Sequence, residues 1–126
     1  MIFIDRSIPR AVASALKQVR NDVYWLEDIF DHDVKDPVWL QQVGQNNWLV
    51  LMRDKRVRTR FGERQSILEN GVGCFILNQG RDPTRWEYLK LIVSTLDQME
   101  DLYAATPRPF IYAVDREGRM RQVLRP

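Results

Sequence analysis

Two short apolar runs in this chain each end in an aspartate beside a base. Ile2-Phe3-Ile4 leads into Asp5-Arg6, and Trp48-Leu49-Val50-Leu51-Met52 leads into Arg53-Asp54-Lys55. Such runs read as strands buried on both faces. In an open parallel sheet, ligands bind at the carboxyl ends of the strands. A carboxylate there is costly unless it is hydrogen-bonded, caps a helix or binds a cation. Singly, Asp5 suits a turn and Asp54 suits a helix cap. Together on neighbouring strands they suit a shared Mg²⁺ or Mn²⁺, hard cations that take oxygen ligands. A third acid is expected from the acidic stretch 27–36. Asp36 is the candidate, because as N-cap of the next helix it faces the same edge; pure capping before Pro37 is the alternative.

A basic block starts beside Asp54: Arg53, Lys55, Arg56, Arg58, Arg60 and Arg64. Guanidinium groups are suited to phosphate, and a run of them would hold a nucleic-acid backbone, with Arg6 adding from the first strand. A solvated helix face is the plainer explanation of such a run. His32 lies between Asp31 and Asp33, but no second histidine and no cysteine pair support zinc. Cys74 sits in an apolar run and belongs to the core. There is no Walker A or G-x-G-x-x-G sequence, which disfavours a nucleotide-cofactor enzyme.

The elements that must position these residues can be read in order. After strand one, Ile8, Val12, Leu16 and Val19 predict a helix over 8–19, with Pro9 in its first turn. Val23-Tyr24-Trp25 is a second strand, followed by the acidic loop. Asp36-Pro37 opens a helix with Val38, Leu40 and Val43 inward, Trp39 an alternative member, and Gly44 suits its C-terminal cap. After strand three, Gly62 is expected to interrupt the basic segment. A helix with Ile67 and Leu68 then leaves through Asn70-Gly71. Residues 72–77 form strand four. Asp82-Pro83 starts the longest helix, with Trp86, Leu89, Ile92, Leu96, Met99 and Leu102 as one stripe. Residues 110–114 and 120–124 form a hairpin about a turn at 115–118. Alternating strands and helices predict a three-layer α/β/α, Rossmann-like fold with a mainly parallel sheet. Strands one and three then flank the point where strand order reverses.

The 126 residues are read as a single domain, 1–126, with 44% hydrophobic and 29% charged residues, an ordinary balance for a globular protein. No window approaches the roughly 18 apolar residues of a membrane span. With a lone cysteine and no leader before the first strand, a reducing cytoplasm is expected. The net charge of +2 is unevenly spread. Residues 1–50 hold five basic and seven acidic residues, 51–64 hold six and two, and 65–126 hold eight of each. An acidic third beside a compact basic block is what a metal site next to a polyanion groove needs.

Phe3-Ile4-Asp5-Arg6, Asp36-Pro37-Val38-Trp39-Leu40 and Leu51-Met52-Arg53-Asp54-Lys55-Arg56 together resemble the PIN-like nucleases, and within them the VapC-type toxins. The resemblance continues through Glu63-Arg64, Gly71-Val72 and Phe75-Ile76-Leu77 to Pro109-Phe110-Ile111. It implies a metal-dependent endoribonuclease in which Asp5, Asp36 and Asp54 are catalytic and hold Mg²⁺ or Mn²⁺. It also implies RNA as substrate and an antitoxin protein that covers the site; a homodimer is a further expectation. The family's fourth polar position falls on Asn78, an oxygen donor without the charge, which bears on a second metal more than on the first. The chain is shorter through its second helix region than a typical member, which bears on the antitoxin groove.

Two alternatives stand beside the nuclease. A receiver-like signalling domain would use Asp54 as phosphoacceptor. It would also need an acidic pair after strand one, a hydroxyl after strand four and a lysine after strand five. The chain has Asp5-Arg6, Asn78-Gln79 and Asp115-Arg116 there, so all three checks fail. The other alternative is a catalytically inactive PIN-like binding protein.

Overall fold

The structure, a computed structural model, describes residues 1–53 and 61–124, with backbone alone at Phe61 and Gly62. Six strands form one sheet: β1 (Ile2–Ile4), β2 (Val23–Trp25), β3 (Leu49–Arg53), β4 (Gly73–Asn78), β5 (Phe110–Asp115) and β6 (Met120–Leu124). Five helices intervene: α1 (Arg10–Lys17), α2 (Leu26–Ile29), α3 (Asp36–Gln45), α4 (Phe61–Glu69) and α5 (Arg85–Ala105). The sheet order is β2-β1-β3-β4-β5-β6. The first five strands run parallel, and β6 pairs antiparallel with β5 as the predicted hairpin.

Burial explains the parallel sheet. β1 and the first four residues of β3 are buried throughout, as are the first five of β4. A strand covered on both faces needs side chains that are apolar at every position. One face carries Ile2, Ile4, Leu49, Leu51, Phe75, Leu77, Phe110 and Val114 against α1 and α5. The other carries Phe3, Val50, Met52, Cys74, Ile76 and Ile111 against Trp39, Leu40 and Val43 of α3 and Ile67 of α4. The result is the three-layer α/β/α arrangement, and chain order reverses between β1 and β3.

Several local expectations differ from the fold. α1 is shorter than 8–19, and Val19 is 79% exposed beyond its end. The start of the acidic stretch folds as α2 rather than loop, with the Asp28 carboxylate accepting the Trp25 N–H at 2.8 Å. Asp36 is the first residue of α3, not its cap, which is Lys35. Val38 is 54% exposed, while Trp39 is buried with Leu40 and Val43. Gly44 stays helical because α4 crosses closely there; a Cβ would lie 2.1 Å from the Asn70 carbonyl oxygen. The left-handed residue after α3 is instead Asn47, at φ 57°. Gly62 lies within α4 rather than interrupting it. Gly71 takes the expected left-handed exit, φ 63°. α5 begins at Arg85 rather than Asp82. Thr84 and Glu87 form a reciprocal capping box that sets its first turn. Trp86 is not in its inward stripe, being 64% exposed; Tyr88 and Leu91 are buried instead.

Candidate active site

The carboxyl edge of β1, β3 and β4 is where the sequence places its chemistry. The β1–β3 ladder continues one residue beyond β1, since the Asp5 N–H donates to the Leu51 carbonyl at 2.9 Å. Asp5 therefore keeps the alternation of its strand and falls on the face of Phe3, under α3. Its carboxylate Oδ2 accepts the Ser7 N–H at 3.1 Å, and its carbonyl accepts the Ile8 N–H at 3.0 Å. This turn hands the chain into α1 and fixes the carboxylate. The Ser7 hydroxyl in turn accepts the Arg53 N–H at 3.0 Å, tying the turn to the end of β3. Sequence reading missed Ser7 as a positioning residue. The signal was present, since an aspartate two residues before a serine is a common turn spacing.

Cys74 lies on β4 under the same helices and is fully buried. Burial pushes its thiol well up, and the Asp5 carboxylate adds to the shift. A thiol so raised is an inert core group rather than a nucleophile.

Asp36 reaches this face through an aromatic stack. Its Oδ1 accepts the Trp39 indole N–H at 2.9 Å. The Trp39 ring stacks on Phe3, centroids 5.3 Å apart at 24°. Phe3 also packs against Phe30 and Trp48. So the aromatic residue two positions before Asp5 anchors the helix that starts at Asp36. The sequence spacing D-x-x-W puts both groups on one turn of α3.

Asn78 ends β4 with the alternation of Cys74 and Ile76, and it is exposed. Its Oδ1 accepts the Gly80 N–H at 3.4 Å, and in register it stands beside Asp115 of β5. Asp115 turns the hairpin by accepting the Glu117 and Arg119 N–H groups and the Arg119 guanidinium.

Two expected RNA-contacting bases have structural partners. Arg6 donates to the His32 and Val34 carbonyls and braces the loop before α3. Arg53 pairs with Asp82, which raises its pKa further while burial opposes the shift. Asp54, Lys55, Arg56, Arg58 and Arg60 lie outside the described residues. Arg64 lies within α4.

Among the described residues, no three His, Cys, Asp or Glu side chains gather as a metal-binding group. The third expected acid, Asp54, directly follows Arg53 in the chain. The donors on offer at this edge are carboxylate oxygens, which fit a hard divalent ion and not zinc's usual nitrogen and sulfur set. Among the described residues, side-chain hydrogen bonds engage one oxygen of Asp5 and one of Asp36.

A family model described as a PIN like domain matches residues 1–79. The match takes in β1 to β4, with Asp5, Asp36, Asp54 and Asn78 all inside it. No curated protein and no solved structure matches the chain.

Proposed function

The chain belongs to the PIN-like domain family, a superfamily of nucleases, and on that premise we propose that it is a metal-dependent endoribonuclease, the VapC-like toxin of a toxin–antitoxin pair. Asp5, Asp36 and Asp54 are the catalytic carboxylates and would hold Mg²⁺ or Mn²⁺, with Asn78 as a neutral fourth donor. When bound, such an ion lowers the pKa of water and offsets charge on a phosphodiester. The chain's own residues do the rest. Ser7 and the β1 turn hold the Asp5 carboxylate, and Trp39 holds that of Asp36. The block Arg53, Lys55, Arg56, Arg58, Arg60 and Arg64, with Arg6, provides the charge that retains an RNA backbone.

One observation carries this reading. Asp5 and the end of β3 are locked together at the reversal of strand order, through Asp5 N–H to the Leu51 carbonyl and Arg53 N–H to Ser7 Oγ. Ligands of such sheets bind at that crevice. The family match also decides against the receiver-like alternative. No helix among the described residues is long and apolar enough to cross a membrane. Work on RNA in the cytoplasm beside an antitoxin, as one domain and in dimeric form, completes the proposal. A PIN-like protein that binds RNA without cutting it is the second reading, favoured by the amide at Asn78.

The test is cleavage of RNA by the purified protein in Mg²⁺ or Mn²⁺, compared with Asp54→Asn. That substitution keeps the shape and deletes the charge. Activity should fall by more than the ~10–100-fold typical of losing a group that merely supports a ligand. Stability should change by no more than the about 0.5–2 kcal/mol of a helix cap. A wild type that cuts no RNA, or a fully active Asp54→Asn, overturns the assignment.

A further inference from the structure

A cavity of about 540 Å³ opens between the first turns of α5 and the β5–β6 turn. Gln79, Trp86, Lys90, Val93 and Arg116 are among the residues that line it. The residues that form it beyond Gln79 lie outside the segment matched by the family model. Three features of it are unusual. Trp86 is 64% exposed and Val93 60%, two large apolar side chains seven residues apart on one helix face. The Lys90 ammonium lies over the Trp86 ring, 5.9 Å from a centroid, so the indole face is already a cation-binding surface. The Gln79 Oε1 is buried with no hydrogen-bond partner among the described residues. Its orientation is set by chemistry: the other end of the amide, Nε2, meets the Glu87 carbonyl at 3.3 Å, and a carbonyl can only accept.

An orphaned buried acceptor calls for a donor, from ordered water or from a ligand that displaces it. An exposed aromatic ring calls for a flat partner. Glu87 and Glu117 also line the cavity and Glu117 pairs with Arg116 at 3.9 Å, which leaves Lys90 as the lining cation outside an ion pair among the described residues, and so the one to meet an anion. A nucleotide offers all three: a base to stack, an amino group to donate and a phosphate. The position agrees. Gln79 follows Asn78 directly, and α5 and the β5–β6 turn both start from the carboxyl ends of their strands. The cavity thus opens at the same edge as Asp5, on the opposite face of the sheet. Its volume lies in the range that holds a small organic ligand, ~300–1,000 Å³.

We propose that this cavity is a nucleobase subsite for single-stranded RNA, in which a base stacks on Trp86, donates its exocyclic amino group to Gln79 Oε1 and leaves its phosphate to Lys90. The inference rests on the reading of the chain as an RNA-acting protein and adds how it selects a nucleotide near the cut.

The probe is a short oligoadenylate, titrated without divalent metal so that nothing is cleaved, with the Trp86 indole resonance and the affinity as readouts. The Trp86 signal should move on binding, and Trp86→Ala should weaken affinity about 5- to 150-fold, as loss of one base stack does. An oligomer of purine riboside, which lacks the amino group, should bind the wild type more weakly than oligoadenylate. Gln79→Ala should erase that difference, and circular dichroism checks that both variants fold. An unmoved Trp86 signal or unchanged affinity in Trp86→Ala overturns the subsite. So does a change in the sedimentation of RNA-free protein in Trp86→Ala, which would make the face an interface between copies. If the subsite behaves as expected but the wild type cuts no RNA in Mg²⁺, the nuclease reading falls and the subsite stands. If RNA is cut and Trp86 is indifferent, only the subsite falls.

Discussion

The two faces of the sheet are equally dry and differently finished. Beneath α3 and α4, the strands run out into Asp5, Asn78 and Asp115, all oxygen-bearing and acidic or neutral. Beneath α1 and α5, they run out into Arg53, Gln79 and Arg116. Arg53 pairs with Asp82 just before α5, and Gln79 bonds to α5 itself. Because side chains alternate along a strand, Asp115 and Arg116 after β5 send an acid and a base to opposite faces, while Asn78 and Gln79 at β4 send one carboxamide to each. Arg6 departs from this pattern: the turn after Asp5 brings it over to the loop before α3. One sheet edge thus carries carboxylates on one side and, on the other, bases held in ion pairs, Arg53 with Asp82 and Arg116 with Glu117.

The largest effect expected from breaking this asymmetry is at Trp39. Trp39→Phe keeps the stack on Phe3 and deletes the N–H that holds Asp36. The Mn²⁺ concentration needed for RNA cleavage should rise ~10–100-fold, as for other groups that orient a ligand. Phe75→Leu on the opposite face is the control. It should lower stability by less than the ~3–5 kcal/mol of full truncation and leave the metal requirement unchanged. Equal metal dependence in the two variants would mean that the faces are not functionally distinct.

A smaller effect is expected from the basic block. Arg56→Ala combined with Arg58→Ala should reduce the slope of log affinity for RNA against log salt by about 1.4, at ~0.7 per phosphate contact on a single strand. An unchanged slope would remove this block from the RNA path.

The smallest effect concerns stability on the α1/α5 face. Arg20 holds Asp22 through 2.9 and 2.8 Å bonds and Glu100 of α5 through two bonds of 3.1 Å. The Arg20 guanidinium keeps the Asp22 carboxyl below its ordinary value, with burial opposing. A carboxyl lowered in the folded state adds stability above its unfolded pKa, about 3.9, and loses it as pH falls through the folded value. The groups are part-exposed, so the contribution is at most about 1 kcal/mol. Acid unfolding of Arg20→Met should lack this component. An identical acid limb in the two proteins would show that the cluster adds nothing.

The mainly parallel sheet, its layers and the hairpin were legible because continuous apolar runs and helical stripes report burial directly; of the strand order, only the β1–β3 neighbourhood was. Helix ends were less so, for identifiable reasons. Asp36 read as a cap because Asp before Pro usually is one, yet its carboxylate is taken by the Trp39 indole three residues on. Gly44 read as an exit, but its missing Cβ serves the close crossing of α4, a tertiary demand that no local pattern carries. Trp86 fits the helical period of α5 and still faces outward, because periodicity cannot tell a core position from an exposed one beside it. The capping box Thr84–Glu87 follows directly on Asp82-Pro83, so two helix-start signals overlap and the later one sets the first turn. At the site, Asp5 was legible from its strand, whereas Ser7 and the Trp39–Phe3 link depend on contacts between distant segments.

The central claim is that Asp5, Asp36 and Asp54 share one divalent ion. It is tested most directly by anomalous diffraction at the manganese edge from crystals grown with Mn²⁺. The account predicts one peak within the ~2.0–2.6 Å ligand distance of an oxygen of each of the three carboxylates, lost in Asp54→Asn. Carboxylates too far apart to share a peak, or manganese bound only elsewhere, would contradict it.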